Sequence, residues 1–391
     1  MSGIPRGFVP AEFEQRTHIV QKLMHDAKLD AIVVTTEAEI RYFTGFHSQF
    51  FESPTRPWFV VVPADGKPIA VIPTIGETGM AATWIDDIHT WPSPRPADDG
   101  ISLLASTITG LPGLHGRLGM PLGPESILRM PAGDARTLAD TVPHEVVDCA
   151  EMLLRQRYVK SPAEVEKIRR VCEITSDTFE ALPGHSQIGD SEITITRRMR
   201  IDLLERGADS TPFMVAGSGP GGYDSIIMGP TQRVPQAGDI LIIDTGTVFD
   251  GYFCDFDRNF GFGHVADDVR RANAAVHQAL DAGFEAARPG ARMCDVWSAM
   301  SQVMEDFGSL GNSIGRMGHG LGMLLTEWPS VHPDDQNILE PGVVMTLEPG
   351  MTFAPGRQLV HEENIVITES GAEYLTRRAP PDIPVIHESV M

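Results

Sequence analysis

The chain opens with a charged, amphipathic segment, Ala11 to Lys28, followed by the β-branched run Ala31-Ile-Val-Val-Thr35. The apolar runs Trp58–Pro63 and Pro68–Pro73 are separated by Ala64-Asp65-Gly66-Lys67, a turn sequence that predicts a hairpin. Asp98 to Ala105 begins a further helix and Arg117-Leu-Gly-Met120 a further strand. Alternation of helix and strand over the first 155 or so residues predicts an α/β domain.

The texture changes near Lys160. Ser161 is placed as an N-cap, Pro162 as the first helical residue and Glu164 as the closing member of a capping box. Helices are predicted over roughly 162–182, 190–206, 266–287 and 294–307. Strand-turn segments run from Asp239 to Asn259, Pro341 to Ala354 and His361 to Thr368. Hairpins covered by helices indicate an α+β half, so we divide the chain into domains 1–157 and 158–391. There is no defensible internal repeat and no low-complexity segment.

A chain of 391 residues exceeds what one core usually serves, consistent with two domains. The formal net charge of −22 disfavours nucleic acid and anionic membrane as partners. Cys149, Cys172, Cys254 and Cys294 are scattered, which fits neither a disulfide framework nor a thiolate zinc site and points to a reducing cytoplasm. The opening MSGIPRGFVP lacks the pattern of a signal peptide, and no apolar run is long enough to span a membrane.

The chemistry is concentrated in four segments. In Asp239–Arg258 an apolar strand reaches Asp244, turns through Asp250-Gly251 and returns with Asp255 and Asp257. A turn centred between Phe249 and Asp250 would set Asp244 opposite Asp255. With Asp250-Gly251 as the loop pair, Asp244 instead faces Asp257, and turn chemistry slightly prefers this register. Either way carboxylates lie side by side, because 255 and 257 share strand parity. Such like charges oppose folding unless they are solvated, as in an acidic surface hairpin, or neutralised by a cation. The apolar run before Asp244 argues for the buried alternative. The other segments are Gly318-His319-Gly320-Leu-Gly322, Thr346-Leu-Glu348-Pro-Gly350 and His361-Glu362-Glu363-Asn364. Carboxylates with one histidine and no thiolate suit manganese, cobalt, iron or zinc.

In type, order and setting these residues resemble the creatinase, prolidase and methionine aminopeptidase superfamily. Asp244 and Asp255 are eleven apart, His319 lies in an HGxG setting, Glu348 in LEPG, and Glu362 follows fourteen later. The resemblance implies a pita-bread catalytic domain in the C-terminal half and a creatinase-like α/β N-terminal domain. It also implies a homodimer and two divalent ions sharing Asp255 and Glu362. Asp244 would hold one ion, and His319 and Glu348 the other. Glu348 matches the family's general base, with His319 beside it in the catalytic set.

Three positions depart from the family's Xaa-Pro peptidases. Ile227 and Thr326 stand where substrate histidines are usual, and Val360, beside His361, where several members carry arginine. Asp257 replaces the usual threonine, and its candidate roles are an outer acceptor, an extra ligand or a surface acid. The glycine-rich loop 216–224 has neither P-loop nor dinucleotide spacing and matches the family's substrate-side loop, making Tyr223 and Asp224 candidate substrate contacts. Trp328 and His332 follow the metal histidine and are candidate pocket residues. Arg56 and Trp58, in the aromatic loop Phe50–Trp58, are the candidates from the N-terminal half.

The leading expectation is a dinuclear-metal hydrolase cleaving a C–N bond of a small peptide-like substrate, of Xaa-Pro dipeptidase type. The alternative, motivated by the missing histidines, is a non-peptide enzyme on the same scaffold, either a creatinase-like amidinohydrolase or a dimethylsulfoniopropionate-lyase-like enzyme. A catalytically silent binding protein is the third reading, which an intact ligand set opposes.

Overall fold

The structure, a computed structural model, describes residues 4–54, 56–311 and 315–387. Residues 1–3 of the opening segment, Thr55 of the aromatic loop and the last four residues of the C-terminal domain lie outside the described residues. The described chain forms two compact units, Pro5–Arg157 and a second one that begins at Tyr158.

The N-terminal unit is a mixed six-stranded sheet built from β1 (Ala31–Val34), β2 (Phe59–Pro63), β3 (Ile69–Pro73), β4 (Asp87–Trp91), β5 (Arg117–Met120) and β6 (Glu145–Asp148). The strand order is β4-β3-β2-β1-β5-β6. The β2–β3 hairpin forms as the turn sequence predicts, with Phe59 opposite Val71. Its helices are α1 (Pro10–Ala27), α2 (Glu37–Thr44), α3 (Glu77–Ala81), α4 (Ile101–Thr109), α5 (Ala132–Thr141) and α6 (Ala150–Tyr158). Leu104 and Ile108 of α4 and Leu138 of α5 share a core with Val33, Phe59, Val61 and Val71 of the sheet. Strands β1, β2 and β3 read as nearly continuous apolar runs because both of their faces are covered.

The second unit begins with α7 (Pro162–His185), where the Ser161–Glu164 capping box forms in full. It continues through α8 (Glu192–Glu205), β7 (Ser210–Pro220), β8 (Asp239–Phe249), β9 (Tyr252–Phe253), β10 (Phe256–Phe262), α9 (Asp267–Ala286) and α10 (Met293–Asp306). The remaining strands are β11 (His319–Gly320), β12 (Glu327–Ser330), β13 (Val344–Leu347), β14 (Gly350–Ala354), β15 (Arg357–Val360), β16 (Glu363–Thr368), β17 (Gly371–Tyr374) and β18 (Val385–Ile386). They make one sheet ordered β18-β10-β8-β7 with β9 on β8, a second ordered β12-β11-β13-β16-β17, and the pair β14-β15. Ala275, Val276 and Ala279 of α9 and Met300 and Met304 of α10 share one core with Ile240, Ile242, Leu347 and Ile365 of the two larger sheets.

One expectation needs correction. The glycine run from Ala216 is expected to be a loop, yet Ser210–Pro220 is an eleven-residue strand paired along β8, from Val215 opposite Asp244 to Pro220 opposite Asp239. The chain folds back against this strand, so closely that a Cβ at Gly219 would lie 2.4 Å from the carbonyl oxygen of Gly222. Close approach of backbone, rather than a cradle for a ligand, accounts for the glycines.

Candidate metal centre

Asp250 (φ 50°) and Gly251 (φ 81°) form the turn between β8 and β9, with Phe249 opposite Tyr252. Two positive φ angles in a two-residue loop make the type I′ geometry that matches strand twist. That register carries through to Asp244 opposite Asp257, the pairing that the turn chemistry preferred. Asp255 lies two residues before Asp257 and so shares its face. Asp255 and Asp257 are 4% and 1% exposed, whereas Asp244 is only partly buried. Asn364 holds the Asp255 backbone by accepting from its N–H at 3.0 Å and donating to its carbonyl oxygen. Asp250 is excluded from the cluster, its carboxylate being paired with Lys167 Nζ at 2.5 Å.

His319 enters from the other sheet. Gly318 (φ 133°) brings the backbone so near β13 that a Cβ there would sit 2.2 Å from the Thr346 carbonyl oxygen, which no side chain tolerates. The His319 N–H donates to Thr346 Oγ1 at 3.2 Å, and Nδ1 lies 2.8 Å from the Gly320 carbonyl oxygen. A carbonyl can only accept, so Nδ1 carries the proton and Nε2 presents its lone pair, the arrangement a metal-ligating imidazole requires. Nε2 faces Asp255 Oδ2 at 3.4 Å. Leu347 pairs with Glu363 across β13 and β16, and the same register one step on sets Glu348 opposite Glu362.

Asp255, His319 and Glu362 offer ligand atoms that all lie within 4.8 Å of one another. Asp244 Oδ1, Asp255 Oδ1, Asp257 Oδ1 and Glu362 Oε1 are buried without a hydrogen-bond partner. Burial is the first cause that raises the Asp244 and Glu362 carboxyls well above the ordinary range, and their carboxylate neighbours add to it. Burial and Asp255 push Glu348 up to about 7, against the opposing pull of His319 and Arg316. Burial works to lower His319, but Asp255 and Glu348 raise it on balance. Buried carboxylates that repel one another, with orphaned oxygens and an oriented imidazole, form a donor set that fits oxygen- and nitrogen-seeking divalent cations.

Behind this group Glu363 is fully paired. Glu363, fully buried, faces away from Glu362 and pairs with Arg258 Nη2 at 2.9 Å. It also accepts from Thr376 Oγ1 and from the Ala379 N–H at 3.0 Å. His361 lies with Nε2 3.2 Å from Glu363 Oε1 and stacks on His277, the ring centroids 4.3 Å apart. Burial alone would raise Glu363, but Arg258, His361 and Thr376 bring it down to about 2.

Sequence reasoning missed Arg316. It stands three residues before His319, is partly exposed, and is close enough to act electrostatically on both His319 and Glu348. Its Nη2 reaches Thr326 Oγ1 at 3.4 Å, and no carboxylate pairs with it among the described residues. An arginine directly before the glycine-flanked histidine segment was the available signal.

The substrate candidates are dispersed. Tyr223 is buried, its hydroxyl donating to Asn259 Oδ1 (3.0 Å) and accepting from the Val360 N–H (2.7 Å), so it ties β15 to the hairpin. Asp224 is exposed. Trp328 is partly exposed and packs edge-on against Tyr158 at 5.1 Å. His332 Nδ1 accepts from the Asp334 N–H at 3.2 Å, a purely local bond. Trp58 is a correction, because it is 1% exposed in an aromatic cluster with Phe46 and Phe51 and is core of its unit. Arg56 lies over the Phe50 ring at 4.9 Å in the same unit. Ile227 is 78% exposed, while Val360 is buried.

Residues 166–369 match the profile of metallopeptidase family M24, and residues 16–159 that of the creatinase/prolidase N-terminal domain. The chain is 28% identical over 380 residues to a probable dipeptidase, PepE, of Mycobacterium tuberculosis, covering 94% of this chain and 95% of the relative. It is 27% identical over 222 residues to an Xaa-Pro dipeptidase of Pyrococcus furiosus, covering 56% of this chain and 64% of the relative. The crystal structure of dipeptidase PepE from Mycobacterium ulcerans superposes with a TM-score of 0.84 at 27% identity, over 97% of this chain and 100% of that one. These relatives favour the peptidase expectation over the amidinohydrolase and lyase alternatives.

Proposed function

The chain belongs to metallopeptidase family M24 and is a metal-dependent hydrolase; on that premise we propose that it cleaves the amide bond of a small peptide bearing a free carboxylate, of the Xaa-Pro dipeptide class. The observation that carries this reading is the buried Asp255–His319–Glu362 group, surrounded by carboxylate oxygens that have no donor. Asp244, Asp255, His319, Glu348 and Glu362 would hold two divalent ions, with Asp255 and Glu362 shared. Such ions, when bound, supply Lewis acidity toward the amide carbonyl and acidify water to near neutral pH.

The protein's own groups divide the remaining work. Glu348, partly exposed at the end of β13, accepts the proton of the attacking water and returns it to the leaving nitrogen. His319, fixed by Gly320, keeps its imidazole orientation throughout. Arg316, with Thr326 beside it, receives the substrate carboxylate. This cation takes over anchoring at a site where Ile227, Thr326 and Val360 replace the family's usual polar groups. Asp224 and Trp328, both with exposed surface in this unit, are the next side chains to vary.

The wider assignment follows from the same resemblance. Residues 1–157 are taken as the creatinase/prolidase-like N-terminal domain and 158–391 as the catalytic domain, around the matched segments 16–159 and 166–369, and the protein is proposed to be a cytoplasmic homodimer. The ions are drawn from manganese, cobalt, iron and zinc, with manganese the first to test. The assay is proline release from a panel of Xaa-Pro dipeptides by manganese-loaded protein, beside an Asp255→Ala control. Release that the control lacks is the expected result. No release from protein that holds two ions would overturn the peptidase reading.

A further inference from the structure

Asp257 is a more deeply buried acid than any ligand position defined above, at 1% exposed, and its Oδ1 has no hydrogen-bond partner. It lies directly across the ladder from Asp244, on the face it shares with Asp255. Like charges in that position repel. The adjacent cation answers this need only in part, since burial and the neighbouring acids outweigh Arg258. Arg258 alternates to the opposite face, where its guanidinium is taken by Glu363 and by the backbone carbonyls of Asp257, Glu362 and Arg377. Among the described residues no basic side chain pairs with the Asp257 carboxylate.

A fully buried carboxylate with a free oxygen is tolerated when it either holds a proton or coordinates a cation. The site already assembles cation ligands on both of its flanks. We propose that Asp257 is a sixth side chain of the dinuclear centre, ligating beside Asp244, so that five carboxylates rather than four face the two ions. The proposal rests on the reading that the other five residues form that centre. With Asp257 ionised, five carboxylates and a neutral imidazole leave two dications with a net charge of −1 instead of zero. Extra hard oxygen charge strengthens retention of the ion at Asp244 and shifts preference toward manganese-like cations over zinc-like ones. A threonine at this position would supply neither the charge nor a strong ligand.

The test uses the full chain, stripped with chelator and titrated with manganese by calorimetry, in wild type, Asp257→Thr, Asp257→Asn and Asp255→Ala. Wild type is expected to take two ions per chain. Both Asp257 variants should retain two sites but bind one of them at least tenfold more weakly. The cobalt-loaded variants should show changed visible absorption, because coordination number sets band intensity. Two ions bound with wild-type affinity and an unchanged cobalt spectrum in both variants would overturn the proposal, even if the stripped variants melt higher. Circular dichroism of the stripped proteins identifies a variant that has not folded, and the other variant then decides. If wild type takes no manganese, or Asp255→Ala takes as much as wild type, the underlying metal-centre reading fails along with the proposal. That outcome is distinct from wild-type-like binding by the Asp257 variants alone.

Discussion

Glu362 and Glu363 are neighbours in sequence and both are buried, yet they meet opposite environments. Glu362 faces Asp244, Asp255, Asp257 and Glu348, and its carboxyl is raised well above the ordinary range by burial and then by those charges. Glu363 faces Arg258, His361 and Thr376, which overcome burial and lower it to about 2. At the back of the strand the Glu363 carboxylate has its counter-charge and its donors. The front is an excess of like charge that folding alone leaves uncompensated. Burial by itself therefore does not mark a functional carboxylate. The informative feature is burial without a counter-charge.

The largest break in this contrast comes from the front. Asp255→Ala should lower manganese-dependent hydrolysis by about a thousandfold or more, measured as kcat/KM on the best dipeptide. The same substitution should leave the melting temperature of chelator-stripped protein unchanged or higher. At the back the signs reverse. Glu363→Ala strands a buried Arg258 and should cost about 3–5 kcal/mol by denaturant unfolding, whether or not metal is present. If the two substitutions destabilise stripped protein equally, the distinction between the faces is wrong.

Arg316→Gln removes a charge-assisted contact worth about 1.5–3 kcal/mol, so KM for free-carboxylate dipeptides should rise about tenfold to a hundredfold. The corresponding peptide amides should be little affected, and kcat should change less than KM. An equal effect on both substrate types would remove Arg316 from carboxylate recognition.

The smallest effect is the pH dependence of stripped protein between pH 8 and 6.5. Glu348 (about 7), Asp244, Glu362 and His319 are all raised, so the folded chain binds protons that the unfolded chain does not. Stability should therefore increase as pH falls through that window. Below about pH 6.5 His277 and His361, both lowered, begin to act in the opposite direction. Manganese-loaded protein should lose this slope or reverse it, as protons then compete with metal.

Much of the front was legible in the sequence because short-range rules determine it. Asp250-Gly251 sets the hairpin register, strand parity aligns Asp255 with Asp257, and the Ser161–Glu164 box begins α7 where those rules place it. What was not legible depended on contacts between distant segments. The strand β7 was hidden because its glycines serve a fold-back of the chain, and glycine has no β-propensity to advertise it. Tyr223 was read as a substrate contact since nothing local reveals that its hydroxyl meets Asn259 and Val360. Trp58 was ambiguous for the same reason, its neighbours Phe46 and Phe51 being visible while their packing was not. Arg316 required the converse knowledge, that no carboxylate elsewhere in the described chain claims it.

The central claim is that the unpaired front holds two divalent cations. The direct measurement is metal content per chain by plasma mass spectrometry, after manganese loading and exhaustive desalting, in wild type and Asp255→Ala. Two equivalents in wild type and less than one in the variant is the result this account requires. Equal content in the two proteins, or none in wild type, would contradict it.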